Sequence, residues 1–423
     1  MINEIRSFHP NIRARMGIVL ISSVASNMIL PFMSIYLARS VGTGLAGLIL
    51  SLGIILNFTA NLIGGYCSDT IGRKNMMIFS EVIRLFSYLL MLISNMGFQL
   101  LMILGFLLSN IASGFFSPAS DAMLLDVTSS KERKSMYSYM YWIMNFSMAL
   151  GGLLGTLLFT QFLIYLCAGL VLASCISLGI IFVRITETYK PNPNGTVIKK
   201  GIGKNLAQMM KNYATVWKDK VFMVYISTFV LLFSLESHFS YYVAVRFEQQ
   251  VGLFQLSPLN FQLNGIEMFG LLRLENTIFV ILFSIMAITL TKKWTDRGWM
   301  FLGISFYIIG YVCIVFLNNS WLLVAMMAFA VLGEALFAPI YETYLSEIPP
   351  KELRSTYMAV NKIALKLSTL IGSFGIFFVN VISSEIAAIF LLIVGVLAVI
   401  LISYILPNVR NHNESAPGMS SES

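Results

Sequence analysis

The sequence predicts an all-α integral membrane fold, with twelve transmembrane helices in two pseudo-symmetric halves of six. Three observations predict it. The chain has 423 residues, 57% apolar and only 11% charged, with mean hydropathy +0.80. That is more apolar surface than a soluble protein of this size can hide. Apolar windows of about 18–25 residues recur, each long enough to cross a hydrocarbon core of about 30 Å. One pattern is also written twice. Pro118-x-x-Asp121-x4-Asp126-x6-Arg133 returns as Pro339-x-x-Glu342-x4-Glu347-x6-Arg354, every position displaced by 221 residues. A repeat that long, in a chain this apolar, implies two similar six-helix halves.

The spans follow in order. The first half holds windows at 17–37, 44–67, 76–95, 98–120, 136–159 and 162–184. The second holds 221–243, 265–290, 299–317, 321–345, 358–380 and 386–406. Pro31, Pro118 and Pro339 fall inside spans, where neighbouring helices can satisfy freed backbone groups. The short alternating segments of a β-barrel are missing. Four domains are therefore expected: a first half at 1–185, a cytoplasmic linker at 186–220, a second half at 221–406 and a disordered cytoplasmic tail at 407–423. The linker is polar and basic, with Pro191, Pro193 and Asn194-Gly195. Its reading is a solvated connector, with an amphipathic helix over 204–220 on the inner leaflet as the alternative.

Charge sets the orientation. With both termini cytoplasmic, the inner regions hold 22 of the 28 Lys and Arg, and the outer loops hold two, Arg39 and Arg246. The net charge of +8 is then topology, with no nucleic-acid partner implied. The expected place is a bacterial cytoplasmic membrane. The first sixteen residues are charged, and the apolar segment after them is too long for a signal-peptide core, so it is read as a retained span. Cys67, Cys167, Cys175 and Cys313 lie at or within apolar segments, with neither disulfide nor metal-ligand spacing.

Between spans two and three stands Gly65-Tyr-Cys-Ser-Asp69-Thr-Ile-Gly72-Arg73-Lys74. Gly72 permits a turn with positive φ, Asp69 sits at a helix end, and Arg73 and Lys74 sit at the level of lipid phosphates. This loop resembles the signature loop of the major facilitator superfamily. Tyr141-Trp142-x-x-Asn145 and Gly151-Gly152-Leu-Leu-Gly155 in span five resemble the antiporter motif of its drug–proton antiporter branch. Gly333-Glu334, Glu187-Thr188-Tyr189-Lys190-Pro191 and Gly265-x-Glu267-x-x-Gly270 are similar to the lactococcal multidrug–proton antiporter type. The resemblance covers nearly the whole chain. It departs at two places: Gly151-Gly152 replaces the usual Gly-Pro, and Met140 stands where the lactococcal type has an aspartate.

Charges deep in the spans need explaining, because each costs about 2.5–3.5 kcal/mol at a helix centre. At about 1.5 Å per residue, Arg84 lies roughly 12 Å into span three and Glu236 roughly 22 Å along span seven. On the same scale Arg273 and Glu275 lie roughly 12–15 Å into span eight, and Glu334 roughly 20 Å along span ten. Lys366 is near the middle of span eleven. Glu334, Glu236, Glu275, Arg84 and Arg273 are the candidates for proton and substrate coupling. A buried carboxylate neutralised by either a proton or a cationic substrate makes the two exclusive, which is the core of antiport. The alternative role is permanent ion pairing. Gly65, Asp69, Gly72, Arg73, Lys74, Asp126 and Arg133 are assigned to conformational switching on the cytoplasmic side. Asn145, Gly151 and Gly155 are assigned to antiporter-motif packing, since glycines four apart form a helix-contact surface.

P-loop, nucleophile-elbow, zinc-helix and Cys-x-x-Cys patterns are all missing. The expectation is a transporter and not an enzyme, without cofactor or metal, and monomeric among membrane lipids. The resemblance implies a secondary transporter exporting small lipophilic, cationic or amphiphilic compounds in exchange for protons by alternating access. Sodium coupling, another cargo (lipid, sugar or peptide metabolite) and a non-transporting scaffold are the alternatives.

Overall fold

The computed structural model describes residues 2–129, 132–189, 213–256, 261–290, 296–350 and 353–414. Each of the twelve apolar windows falls on helical chain, the first running from the helix Pro10–Ile29 through a 3-10 turn at Leu30–Phe32 into the helix Met33–Ile71. After a short α1 (Ile2–Ser7) come α2 (Pro10–Ile29), α3 (Met33–Ile71), α4 (Arg73–Ser94), α5 (Gln99–Asp126), α6 (Arg133–Leu158) and α7 (Leu163–Arg184). Then follow α8 (Lys220–His238), α9 (Gly265–Leu290), α10 (Asp296–Phe316), α11 (Ser320–Glu347), α12 (Arg354–Phe374) and α13 (Ser384–Glu414). Long α3 breaks at Gly42 (φ 82), so the first two spans meet at a kink. Most of the expected tail, and the linker residues 190–212, lie outside the described residues. Helix α13 runs through Pro407 to Glu414.

The repeat is carried into the architecture. Helices α5 and α11 both have 28 residues, and their starts, their ends and the starts of the helices that follow (Arg133 and Arg354, Leu163 and Ser384) keep the 221-residue offset. Each carries its proline inside, at Pro118 and Pro339. The halves therefore repeat at the level of helix boundaries, which a coincidence of four residues would not produce.

Side-chain caps fix several ends. Asp219 accepts from Phe222 N–H at 3.0 Å, and Asn319 accepts from Leu322 N–H at 3.0 Å, each satisfying a free donor of a helix start. The stretch after α8 was not foreseen. Two π-helical turns, Phe239–Val243 and Phe247–Val251, lead to strands β1 (Leu253–Leu256) and β2 (Phe261–Asn264), which pair. Arg246, expected in an outer loop, is 2% exposed. It donates to the carbonyls of Leu317 (3.2 Å) and Phe316 (3.1 Å) and to Asn318 Oδ1 (2.5 Å), closing the C-terminal end of α10.

Contacts divide the chain into two units. The first comprises Met1–Pro191, Phe247–Gln250 and Leu263–Thr277; the second comprises Asn192–Arg246, Val251–Gln262 and Ile278–Ser423. Within the first, α4 packs on α5 and α7, α3 on α5, and α2 on α6 and α7. Within the second, α10 packs on α11, and α8 on α12 and α13. Large apolar side chains stand exposed around both, among them Tyr165, Val183, Ile393 and Tyr404. Such a surface suits lipid and not water.

Candidate functional site

The signature loop forms a polar cluster in the first unit. Gly72 ends α3 and begins α4 with φ 99 and ψ 155, a region almost confined to glycine. The Glu187 carboxylate, just past α7, sits on this turn. It accepts backbone N–H groups of Arg73 (2.9 Å), Lys74 (3.0 Å), Thr188 (3.0 Å) and Tyr189 (2.9 Å). An anion at a helix N-terminus meets free donors and the positive end of the helix dipole. A Cβ on Gly72 would stand 2.5 Å from Glu187 Oε2, so the turn needs glycine for space as well as for φ.

Arg73 binds the rest of the cluster. Its guanidinium pairs with Asp69 and, at 3.4 Å, with Asp126. It donates to Ser68 Oγ at 3.0 Å and lies over the Tyr189 ring. The Thr188 hydroxyl donates to Asp126 at 2.9 Å, and Lys74 Nζ to the Phe182 carbonyl at 3.0 Å. Asp69, Gly72, Arg73, Lys74 and Asp126 are thus brought together. Arg133 is not: it begins α6, exposed, and Asp126 takes Arg73 as its partner. A Cβ on Gly65 would make only ordinary contact, with Pro118 at 3.9 Å.

Deeper in this unit, Arg84 Nη1 pairs with Glu81 at 2.7 Å. The other Glu81 oxygen accepts from Ser174 at 2.8 Å. Arg84 and Arg15 both lie over the ring of Phe116, at 4.8 and 5.0 Å. Helix α6 meets α2 through glycine. Cβ atoms on Gly151 and Gly155 would run into the backbone at Val24 and Met28, whereas Gly152 faces open space. Asn145 bonds its own helix, donating to the Tyr141 carbonyl at 2.9 Å. Met140 is buried in an apolar cluster with Met16, Met123 and Met136, so its position is hydrophobic core in this chain. On α9, Glu275 is 8% exposed, and neither carboxylate oxygen has a hydrogen-bond partner among the described residues. Arg273, two residues earlier, is partly buried.

In the second unit, Glu236 of α8 and Glu334 of α11 lie within electrostatic reach of each other. Both are partly buried. Tyr307 of α10, 0% exposed, donates to Glu236 Oε2 at 3.4 Å and senses both carboxylates. Gly333 explains how α11 comes so close, since a Cβ there would strike the backbone at Tyr307 and Gly303. Rings continue from this point. Tyr307 packs edge-on against Tyr311 and Phe337, and Phe337 leads to Phe229 and Tyr341. Two like charges in an apolar helix pack repel, and either a proton or a bound cation relieves the repulsion. His238 turns aside, its Nδ1 on the Ser234 carbonyl at 2.7 Å.

Sequence reasoning missed Tyr307, Arg15 and Glu187. A tyrosine in an apolar span reads as packing, and Arg15 stands two residues before the first apolar window. Glu187 was visible only as part of a motif, with no sign of its target.

A family model described as Major Facilitator Superfamily matches residues 16–272 and 252–421. Among curated proteins, the chain is similar to a Na(+), Li(+), K(+)/H(+) antiporter of Planococcus maritimus, 25% identical over 88% of this chain and 90% of that one. It is also similar to the multidrug resistance protein MdtH of Aeromonas hydrophila, 21% identical over 82% of each. Among solved structures it resembles a peptide transporter POT, with TM-score 0.72 and 14% identity over 96% of both chains. A D-xylose-proton symporter matches with TM-score 0.67 and 16% identity, covering 92% of this chain and 95% of that one. At such identities the structures speak for the fold alone.

Proposed function

The chain belongs to the major facilitator superfamily, a family of membrane transporters and not of enzymes, and from that premise we propose that it is a proton-coupled antiporter. Its cargo in this reading is a lipophilic, cationic or amphiphilic compound, exported by alternating access across the bacterial cytoplasmic membrane. The protein acts as a monomer with both termini inside. The observation that carries the reading is the Glu236–Tyr307–Glu334 group of the second unit. One proton or one cationic group fills the same electrostatic need there, so the two exclude each other.

Other residues take subordinate parts. Glu275, a buried carboxylate without a hydrogen-bond partner among the described residues, is a second candidate for coupling, and Arg273 lies two residues before it on α9. Arg84 is balanced by Glu81 and holds the inner part of the first unit. The Asp69–Arg73–Asp126 cluster pairs a mostly buried guanidinium with two solvent-facing carboxylates, which suits contacts made in one state and broken in another. Lys74, Gly65 and Gly72 shape that loop, and Arg133 supplies a nearby cation for the other state. Gly151 and Gly155 keep α6 on α2, while Asn145 braces α6 itself.

A second reading has an inorganic monovalent cation as cargo, supported by the antiporter of Planococcus maritimus. The experiment is transport in energised inverted vesicles, with ethidium in one arm and Na(+) or Li(+) in the other, for wild type, Glu334→Gln and Glu236→Gln. Ethidium accumulation driven by an imposed proton gradient, and lost in Glu334→Gln, supports the first reading. Proton release on adding Na(+) or Li(+) without ethidium movement supports the second. Movement of neither under any gradient sinks both.

A further inference from the structure

We infer that the first unit carries a binding site for an anionic group of an amphiphile, centred on Arg15. The buried charges of this region do not balance. Arg84 and Glu81 cancel at 2.7 Å, and the remaining Glu81 oxygen is occupied by Ser174. Arg15 makes no ion pair among the described residues, and its Nε is buried without a hydrogen-bond partner. Its guanidinium shares the Phe116 ring with Arg84, so two cations meet one aromatic ring and one buried carboxylate. A ring attracts each cation but supplies no counter-charge.

A second orphan lies one helical turn from the ring that Arg15 covers. Ser120 follows Phe116 by one turn of α5, so the two share a face. Its side chain is 0% exposed, and its hydroxyl has no partner among the described residues. A guanidinium N–H and a hydroxyl, both left without acceptors, are what a carboxylate, sulfonate or phosphate oxygen satisfies. Asp121 is within electrostatic reach of Arg15, but it is exposed and takes the Ser117 hydroxyl at 3.5 Å. The surroundings suit an apolar body behind the anionic head. Met16, Met76, Met77 and Met123 belong with Phe116 to one buried apolar cluster, and methionine surfaces re-pack around varied shapes. Arg15 as a residue is partly exposed, while its Nε is buried.

Where the occupant is cargo, this inference rests on the transporter reading and adds amphiphiles that bear an anionic group to its cargo. The other source of the same chemistry is the phosphate of an anionic lipid. The test is equilibrium binding of tritiated taurocholate to the full-length protein in detergent, with native mass spectrometry of retained phosphatidylglycerol in parallel. Arg15→Gln is expected to weaken taurocholate binding by about tenfold or more, the worth of a charge-assisted hydrogen bond, and Arg15→Lys to recover part of it. Asp121→Asn removes a competing anion and is expected to strengthen binding. Loss of retained phosphatidylglycerol in Arg15→Gln, with taurocholate unaffected, makes lipid the occupant. If a folded Arg15→Gln binds both as wild type does, or wild type binds neither, the inference is overturned. Should Arg15→Gln not fold, Asp121→Asn decides, and no gain of taurocholate binding overturns it. No gradient enters the measurement, so failure of this site and failure of proton-coupled transport are read separately.

Discussion

The Tyr307 hydroxyl joins α10 to α8 within the second unit. It is fully buried and donates to Glu236, so Tyr307→Phe removes one hydrogen bond and changes no packing volume to speak of. A buried polar group left without its partner costs about 1–3 kcal/mol. Tyr307→Phe is therefore expected to slow proton-driven transport several-fold while the protein still binds cargo and elutes as wild type; transport at the wild-type rate would make the hydroxyl a bystander. Arg246 presents the opposite case, a cation whose role is architectural. It donates to two carbonyls and Asn318 at the end of α10. Arg246→Gln should lower the melting temperature in detergent by several degrees, with residual transport intact in whatever folds. Neither role was legible from sequence. Tyr307 looks like one more aromatic in an apolar span, and Arg246 looks like a loop charge, because its buried partners are backbone carbonyls about 70 residues away.

At the scale of elements, much was legible. Apolar windows mark helices because a membrane span must satisfy its backbone internally, and all twelve fell where the hydropathy put them. The kink at Gly42, the π turns and the β1–β2 hairpin were not legible, since each is short and set by neighbours and not by periodicity. Glycine spacing was legible in part. It marked Gly151 and Gly155 as a contact surface, and both lie against the α2 backbone, but it gave no ground for separating Gly152, which meets nothing. The contrast is testable. Gly151→Leu and Gly155→Leu should force α6 from α2 and abolish folded expression, while Gly152→Ala should express and transport as wild type. Equal tolerance at all three would refute the close approach. At the signature loop, Gly72→Ala sets a side chain in a region costing about 1–3 kcal/mol and against Glu187. It is expected to destabilise more than Glu187→Gln, which leaves an oxygen in place to accept. A thermal-shift assay on the two variants decides the order.

At the scale of the molecule, the 221-residue offset and the charge distribution make separate claims. The offset concerns internal repetition, and helix starts and ends repeat it closely. What it did not reveal is that Leu263–Thr277, from the second half of the chain, packs with the first unit. Sequence symmetry describes descent along the chain, while contact depends on which faces meet. The charge distribution concerns orientation. The turn after α3 carries Arg73 and Lys74, and the connection between α5 and α6 carries Lys131, Arg133 and Lys134, whereas the turn at Asn95–Phe98 between α4 and α5 has no charge. Basic connections resist translocation, so these are expected to alternate, the basic ones inside and the uncharged one outside. The four native cysteines are first replaced by serine or alanine. Met96→Cys, at a position 76% exposed, should then react with a membrane-impermeant maleimide in intact cells. Glu132→Cys, exposed in the next connection, should react only after permeabilisation. The reverse pattern would invert the topology, and with it the direction of export, since the Arg73 cluster would then face outward. Labelling of both positions in intact cells would break the alternation that twelve spans require and remove a helix from the membrane between them.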